Sequence, residues 1–179
     1  MIRRFLLTAL ACIAMTVSIP AFAQQAGVTA PNVVPITPQL TTSGQPTRES
    51  LASLGAAGYQ GVIYLAPLTV PDAVPDEAAI LRRQGISFTN IPITFNQPGE
   101  KDFEAFTDAL AGLQGKKVLV HCQVNMRASS MVFLYRVIVG KENPEAAYPS
   151  VSKVWTPDGR WKNFIVATLK KHGVDFEPY

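Results

Sequence analysis

The sequence predicts an α/β protein with a mostly parallel central sheet flanked by helices. Three observations carry that reading. Gly61-Val62-Ile63-Tyr64-Leu65 and Val118-Leu119-Val120 are short, nearly continuous apolar runs, the pattern of strands buried on both faces. Between and after them lie amphipathic stretches with N-cap residues and glycine stops, which read as helices. Strands that alternate with helices pair in parallel and are covered on both faces.

The chain opens with Met1-Ile2-Arg3-Arg4, continues as an uncharged apolar run from Phe5 to Ile19, and reaches Pro20 and Ala21-Phe22-Ala23. A charged start, a short apolar core and an A-x-A site predict a secretory signal peptide over residues 1–23, with cleavage after Ala23. The apolar run is 15 residues long, short of the ~20 that span a bilayer. The expectation is therefore a periplasmic protein with no stable membrane anchor after cleavage. Of the 179 residues, 156 would remain, a size that suits one domain with one core. Loss of Arg3 and Arg4 takes the 16 basic residues to 14 against 13 acidic ones. That near-neutral balance, with no basic run, argues against nucleic acid as a partner.

Residues 24–42, rich in Pro, Thr, Gln and Val, read as an extended leader with one short strand near Val33-Val34-Pro35-Ile36. The domain proper is expected over residues 43–179. Ser43-Gly44-Gln45-Pro46 is a turn cluster, and Thr47 is an N-cap for a helix through Leu51 and Leu54 that stops at Gly58. After the strand at 61–65 comes a turn at 71–75, a helix over 76–84 and a stop at Gly85. Residues 86–93 alternate as a strand, and Pro92 pushes it toward an edge. A loop over 95–99 leads into a helix over 100–113, with Phe103, Phe106, Leu110 and Leu113 on one face. The strand at 118–120 delivers His121 and Cys122, and a helix follows from Arg127 to Val139. Pro144, Pro149 and Pro157 break the remainder into pieces, and a final helix runs over 159–172. Trp155 and Trp161 are expected to cover the core, and Arg136 and Lys141 to be solvated.

Two cysteines are present, and Cys12 leaves with the signal. Cys122 then has no intramolecular partner in an oxidising compartment, so it is either a buried inert thiol or one kept free for chemistry. Its setting is Val120-His121-Cys122-Gln123-Val124-Asn125-Met126-Arg127-Ala128-Ser129-Ser130, a strand that breaks into a loop and restarts as a helix. The first N–H groups of a helix lack internal partners and carry the positive end of its dipole, so such a turn binds anions and favours a thiolate. Arg127 adds a planar fork that matches a tetrahedral oxyanion. His121 reads as a positioner of the loop or as a hydrogen-bonded core histidine, and the two are compatible. It does not read as the acid, because adjacent strand side chains point to opposite faces.

Cys122 and Arg127, with His121 before them, resemble the H-C-x5-R motif of the cysteine-dependent protein tyrosine and dual-specificity phosphatases. The order of Ser43-Gly44-Gln45-Pro46, Gly61-Val62-Ile63-Tyr64-Leu65, Ile91-Pro92-Ile93 and the Cys122 segment is similar to compact bacterial phosphatase-like domains related to beta-lactamase-hydrolase-like proteins. The resemblance implies a protein-tyrosine-phosphatase-like fold and attack by Cys122 on phosphorus to form a cysteinyl-phosphate. It implies a phosphate loop of Gln123, Val124, Asn125, Met126, Ala128 and Ser129, and a phosphorylated protein or small phosphoester as substrate. No metal and no cofactor are expected.

The loop here is C-x4-R, one residue shorter than that motif. Asn125 stands where the motif has its central glycine, and tolerates left-handed backbone angles. Ala128 replaces a hydroxyl residue, leaving Ser129 or Ser130 as substitutes. The family takes its leaving-group acid from a loop upstream of the cysteine, and in this chain Glu100 and Asp102 are the candidates there. The competing reading of both is helix N-terminal charge. The six-residue loop also matches rhodanese-like sulfurtransferases, in which Cys122 would carry a persulfide, although the Asp-x-Arg and His-Ile-Pro-Gly-Ala segments of that family are absent. A third reading is a non-catalytic phosphate- or anion-binding module.

Overall fold

A computed structural model describes residues 27–179, so the predicted signal peptide lies outside the described residues. The apolar runs form strands as expected. The sheet has five strands: β1 (Val34–Thr37), β2 (Leu40–Ser43), β3 (Gly61–Tyr64), β4 (Ser87–Asn90) and β5 (Val118–His121), in the order β1-β2-β5-β3-β4. β2, β5, β3 and β4 are parallel, and β1 pairs antiparallel with β2. Register aligns Ser43, His121, Tyr64 and Asn90 at the carboxyl ends of the four parallel strands. In open α/β sheets ligands bind beyond that edge.

The helices are α1 (Arg48–Ser53), α2 (Glu77–Arg82), α3 (Glu100–Ala111), α4 (Met126–Ile138), α5 (Pro144–Ala147), α6 (Pro149–Ser152) and α7 (Gly159–Lys171). Local signals set several of their ends. Thr47 Oγ1 accepts from Ser50 N at 3.1 Å to cap α1, and Gly85, at φ 71°, supports the turn after α2. Strand alternation sorts the core into two layers. Val62 and Leu119 pack with Leu51 of α1, Leu54 just after it, and Ile80 and Leu81 of α2. Ile63, Val118 and Val120 pack with Phe106, Met131, Val132 and Ile165 of α3, α4 and α7.

Two expectations are corrected. The stretch read as an extended leader contributes a hairpin, and its second strand lies inside the sheet against β5. Hydropathy hides β2 because it is built from hydroxyl residues: Thr41, Thr42 and Ser43 are buried. Their oxygens are satisfied locally. Tyr59 Oη donates to Thr41 Oγ1, Asn125 Nδ2 donates to Thr42 Oγ1, and Ser43 Oγ donates to Gly44 O. Arg136 is also not a solvated side chain. It pairs with Glu142 at 2.6 Å and donates to Ala147 O and Ser150 Oγ, tying α4 to the α5–α6 segment.

Candidate active site

β5 ends at His121, and the chain leaves the sheet through Cys122-Gln123-Val124-Asn125 to enter α4. Neighbouring strands hold this loop by its backbone. Cys122 N donates to Ser43 O at 3.2 Å, Leu65 N to His121 O at 2.8 Å, and Gln45 N to Gln123 O at 2.9 Å. Gly44 allows that approach, since a Cβ there would lie 2.6 Å from Gln123 O and 2.9 Å from Pro31 Cβ.

Asn125 turns the loop into the helix with φ at 74°, the left-handed conformation expected of it. Its fully buried amide donates to Asn32 O at 2.6 Å and to Thr42 Oγ1 at 3.0 Å, while Asn32 Nδ2 returns a bond to Val124 O at 3.0 Å. Asparagine therefore supplies both the backbone angle and a polar anchor. Glycine would supply only the first. With the loop held this way, the N–H groups of Gln123, Val124, Met126, Arg127 and Ala128 make no hydrogen bond among the described residues. They lie at and just before the positive end of a 13-residue helix, a place that favours an oxyanion.

Arg127 lies in the first turn of α4 and is almost entirely buried. Its Nε donates to Ile93 O at 3.0 Å, and its guanidinium carbon sits 5.0 Å from the centroid of the Phe95 ring. Phe95 is held in turn by Trp161, whose Nε1 donates to Phe95 O at 2.8 Å, and packs on Trp155 and Trp161. The two tryptophans expected to cover the core thus also support the arginine. At its outer end Arg127 Nη1 reaches Gln123 Oε1 at 3.5 Å, long for a hydrogen bond.

His121 and Cys122 fall on opposite sides of the sheet, as strand geometry requires. Cys122 is fully buried in the layer of Val120, Ala128 and Met131. His121 faces α2, where its Nε2 meets Glu77 Oε1 at 2.7 Å, and Gln45 Nε2 donates to the other carboxylate oxygen at 2.8 Å. The imidazole stacks on Tyr64 with ring centroids 4.5 Å apart. The Tyr64 hydroxyl is buried without a partner among the described residues, and burial, followed by the nearby carboxylates of Asp72 and Glu77, pushes its phenol well above the usual range.

Glu100 and Asp102 take the structural part of their two readings. Asp102 Oδ2 accepts from Gly99 N at 2.9 Å at the start of α3, and Glu100 pairs with Lys171 of α7. Neither bonds to residues 122–129. The sequence reading also missed two acids. Glu77, which opens α2, was not singled out, and Asp72, whose Oδ1 accepts from Gln123 Nε2 at 2.8 Å, fell in the turn expected at 71–75. Of the serines proposed to replace the hydroxyl after Arg127, Ser129 donates to Met126 O, and Ser130 is buried with its oxygen unpartnered among the described residues.

No family model matches the chain. It is 33% identical over 112 residues to the beta-lactamase hydrolase-like protein of Xylella fastidiosa strain Temecula1, a match that covers 61% of the chain. The chain spans about a quarter (26%) of that relative's length. A DUF442 phosphatase of Shewanella putrefaciens CN-32 superposes with a TM-score of 0.72 at 30% identity, covering 86% of this chain and 97% of that one. The chain belongs to the DUF442 phosphatase family. Beyond that family, PTPMT1, solved in complex with PI(5)P, superposes with a TM-score of 0.65 at 16% identity over 79% of this chain and 96% of its own. Tk-PTP in its active form does so at 0.62 and 19% identity over 79% of this chain and 96% of its own. The fold is thus that of the protein-tyrosine-phosphatase-like proteins, and DUF442 phosphatases share it.

Proposed function

We propose that this DUF442 protein is an exported, cysteine-dependent phosphatase that hydrolyses phosphotyrosine or another small phosphoester through a cysteinyl-phosphate on Cys122. One observation carries the reading: Cys122 stands at the end of β5, immediately before unpaired backbone N–H groups and the Arg127 guanidinium. In-line attack by the Cys122 thiolate puts negative charge on the equatorial phosphoryl oxygens. The N–H groups and Arg127 stabilise that charge without rearranging, because β2, Gly44 and Asn125 already hold the loop. His121 acts as a positioner through Glu77. Gln123, Val124, Asn125, Met126, Ala128 and Ser129 shape the phosphate cradle. Export follows from the signal-peptide reading of residues 1–23 and places the activity in the periplasm.

The C-x4-R spacing favours one second reading, transfer of sulfane sulfur through a Cys122 persulfide. One set of assays separates the two. Reduced protein is offered an activated aryl phosphate and, separately, thiosulfate with cyanide, with Cys122→Ser and Arg127→Ala alongside. Phosphate release that both variants lose supports the phosphatase. Thiocyanate formation without phosphate release replaces it with the sulfurtransferase, and silence in both leaves an anion-binding module. Sequencing the N-terminus of periplasmic protein tests export; the expected first residue is Gln24.

A further inference from the structure

Gln123, the residue after Cys122, bridges two charged groups. Its Nε2 donates to Asp72 Oδ1 at 2.8 Å, and its Oε1 accepts from Arg127 Nη1 at 3.5 Å. The amide offers an oxygen to the guanidinium and a polar N–H group to the carboxylate. A phosphoester lying in the cradle would meet the same two groups, a phosphoryl oxygen accepting from Arg127 and its bridging oxygen accepting from a protonated Asp72, where Gln123 instead donates to the carboxylate. We propose that Asp72 is the proton donor to the leaving group, and that the Gln123 side chain occupies the substrate's place between Asp72 and Arg127 until the phosphoester displaces it. The inference rests on the phosphatase reading and names its missing acid.

The remaining carboxylates near the loop are committed elsewhere. Glu77 is buried and holds His121 and Gln45, Asp102 caps α3, and Glu100 pairs with Lys171. Asp72 is exposed, and its Oδ2 makes no hydrogen bond among the described residues. The segment that carries it, residues 66–76 between β3 and α2, is pinned. Asn90 Nδ2 donates to Tyr64 O at 3.0 Å and Ala66 O at 2.9 Å, Ala73 N donates to Val70 O at 3.1 Å, and Pro67, Pro71 and Pro75 restrict the backbone. Gln123 follows Cys122 in the chain, so its 2.8 Å bond to Asp72 sets that carboxylate beside the loop that begins at the sulfur.

The steps balance. The Cys122 thiolate attacks phosphorus, an S–P bond forms, the P–O bond to the leaving group breaks, and the Asp72 carboxyl proton passes to that oxygen to release an alcohol or phenol. Water then attacks phosphorus and gives its proton to the Asp72 carboxylate. The S–P bond breaks, and thiolate, inorganic phosphate and protonated Asp72 return.

Asp72→Asn keeps an oxygen for Gln123 and removes the proton, and Asp72→Glu keeps the proton. The experiment compares hydrolysis of 2,4-dinitrophenyl phosphate, whose leaving group needs no proton, with that of phenyl phosphate, whose leaving group does. For Asp72→Asn we expect kcat/KM, which reports the steps up to leaving-group departure and not the later hydrolysis of the cysteinyl-phosphate, within about threefold of the parent on the first ester and lower by about 10²-fold or more on the second. Asp72→Glu should recover part of that loss. Equal losses of kcat/KM on both esters, or none on either, overturn the assignment. A parent protein that hydrolyses neither ester overturns the phosphatase reading and the assignment together, and is distinguished by that silence. Asp72 is exposed, so unchanged thermal unfolding of the variants is expected.

Discussion

Glu77 and His121 meet at 2.7 Å with both side chains buried, 44 residues apart in sequence and directly behind the cysteine. Two groups taken out of water in this way are held by each other and by Gln45. Removing one leaves the other uncompensated.

Glu77→Ala should therefore destabilise the fold by about 3 kcal/mol or more, and Glu77→Gln, which keeps the shape and a hydrogen-bonding oxygen, by less. Urea unfolding followed by tryptophan fluorescence measures both. A Glu77→Ala cost within experimental error of zero would show that the pair contributes nothing to stability.

Gly44 touches the loop after Cys122 by its backbone, and the obstacle to a side chain is Gln123 O, at 2.6 Å from the added Cβ. Gly44→Ala must displace one of the two chains. A shift near 1 Å in a positioned loop reduces turnover by about 10²-fold. Aryl phosphate kinetics should show that loss mainly in kcat, while circular dichroism remains that of a folded protein.

Asn125 is a left-handed residue and an anchor at once. Asn125→Gly removes the anchor, and Asn125→Ala removes the anchor and adds backbone strain. Alanine should be the more damaging by about 1 kcal/mol. Thermal unfolding of the two variants checks the order, and glycine proving the worse would contradict it.

Tyr64 sets an alkaline limit to stability. Its folded phenol lies above the unfolded value of 10.0, so the unfolded chain gives up its proton first. The stabilisation is complete below pH about 10 and declines as pH rises from there toward the folded value. Tyr148 and Tyr179 are raised as well, so Tyr64→Phe should flatten the decline without abolishing it. At neutral pH the same variant deletes a buried hydroxyl that has no partner among the described residues, and should leave stability unchanged or slightly higher. Unfolding free energies at pH 7 and at successive values above 10 test both statements.

Much of the scaffold was legible because its signals are local. Thr47 caps α1, Gly85 turns the chain after α2, and the apolar runs at 61–64 and 118–120 are buried strands. β2 escaped the same reading because a strand of threonine and serine is buried by hydrogen bonds rather than by hydropathy. Arg136 escaped it because its partners Glu142 and Ser150 gather only when α4, α5 and α6 pack together.

Sequence alone determined the α/β class and the presence of Cys122, Asn125 and Arg127 on one strand-loop-helix turn, because period, capping and turn chemistry act over a few residues. Tertiary structure alone decided which acids lie against that turn and the histidine before it. Glu77 and Asp72 lie 44 and 51 residues from the side chains they bind, in segments whose local patterns read only as a helix start and a turn. Parallel register aligns the ends of β2, β5 and β3, and with them the loops that follow, along one edge of the sheet. Side chains from distant segments become neighbours there through backbone pairing, and no local signal in the chain marks which of them will meet.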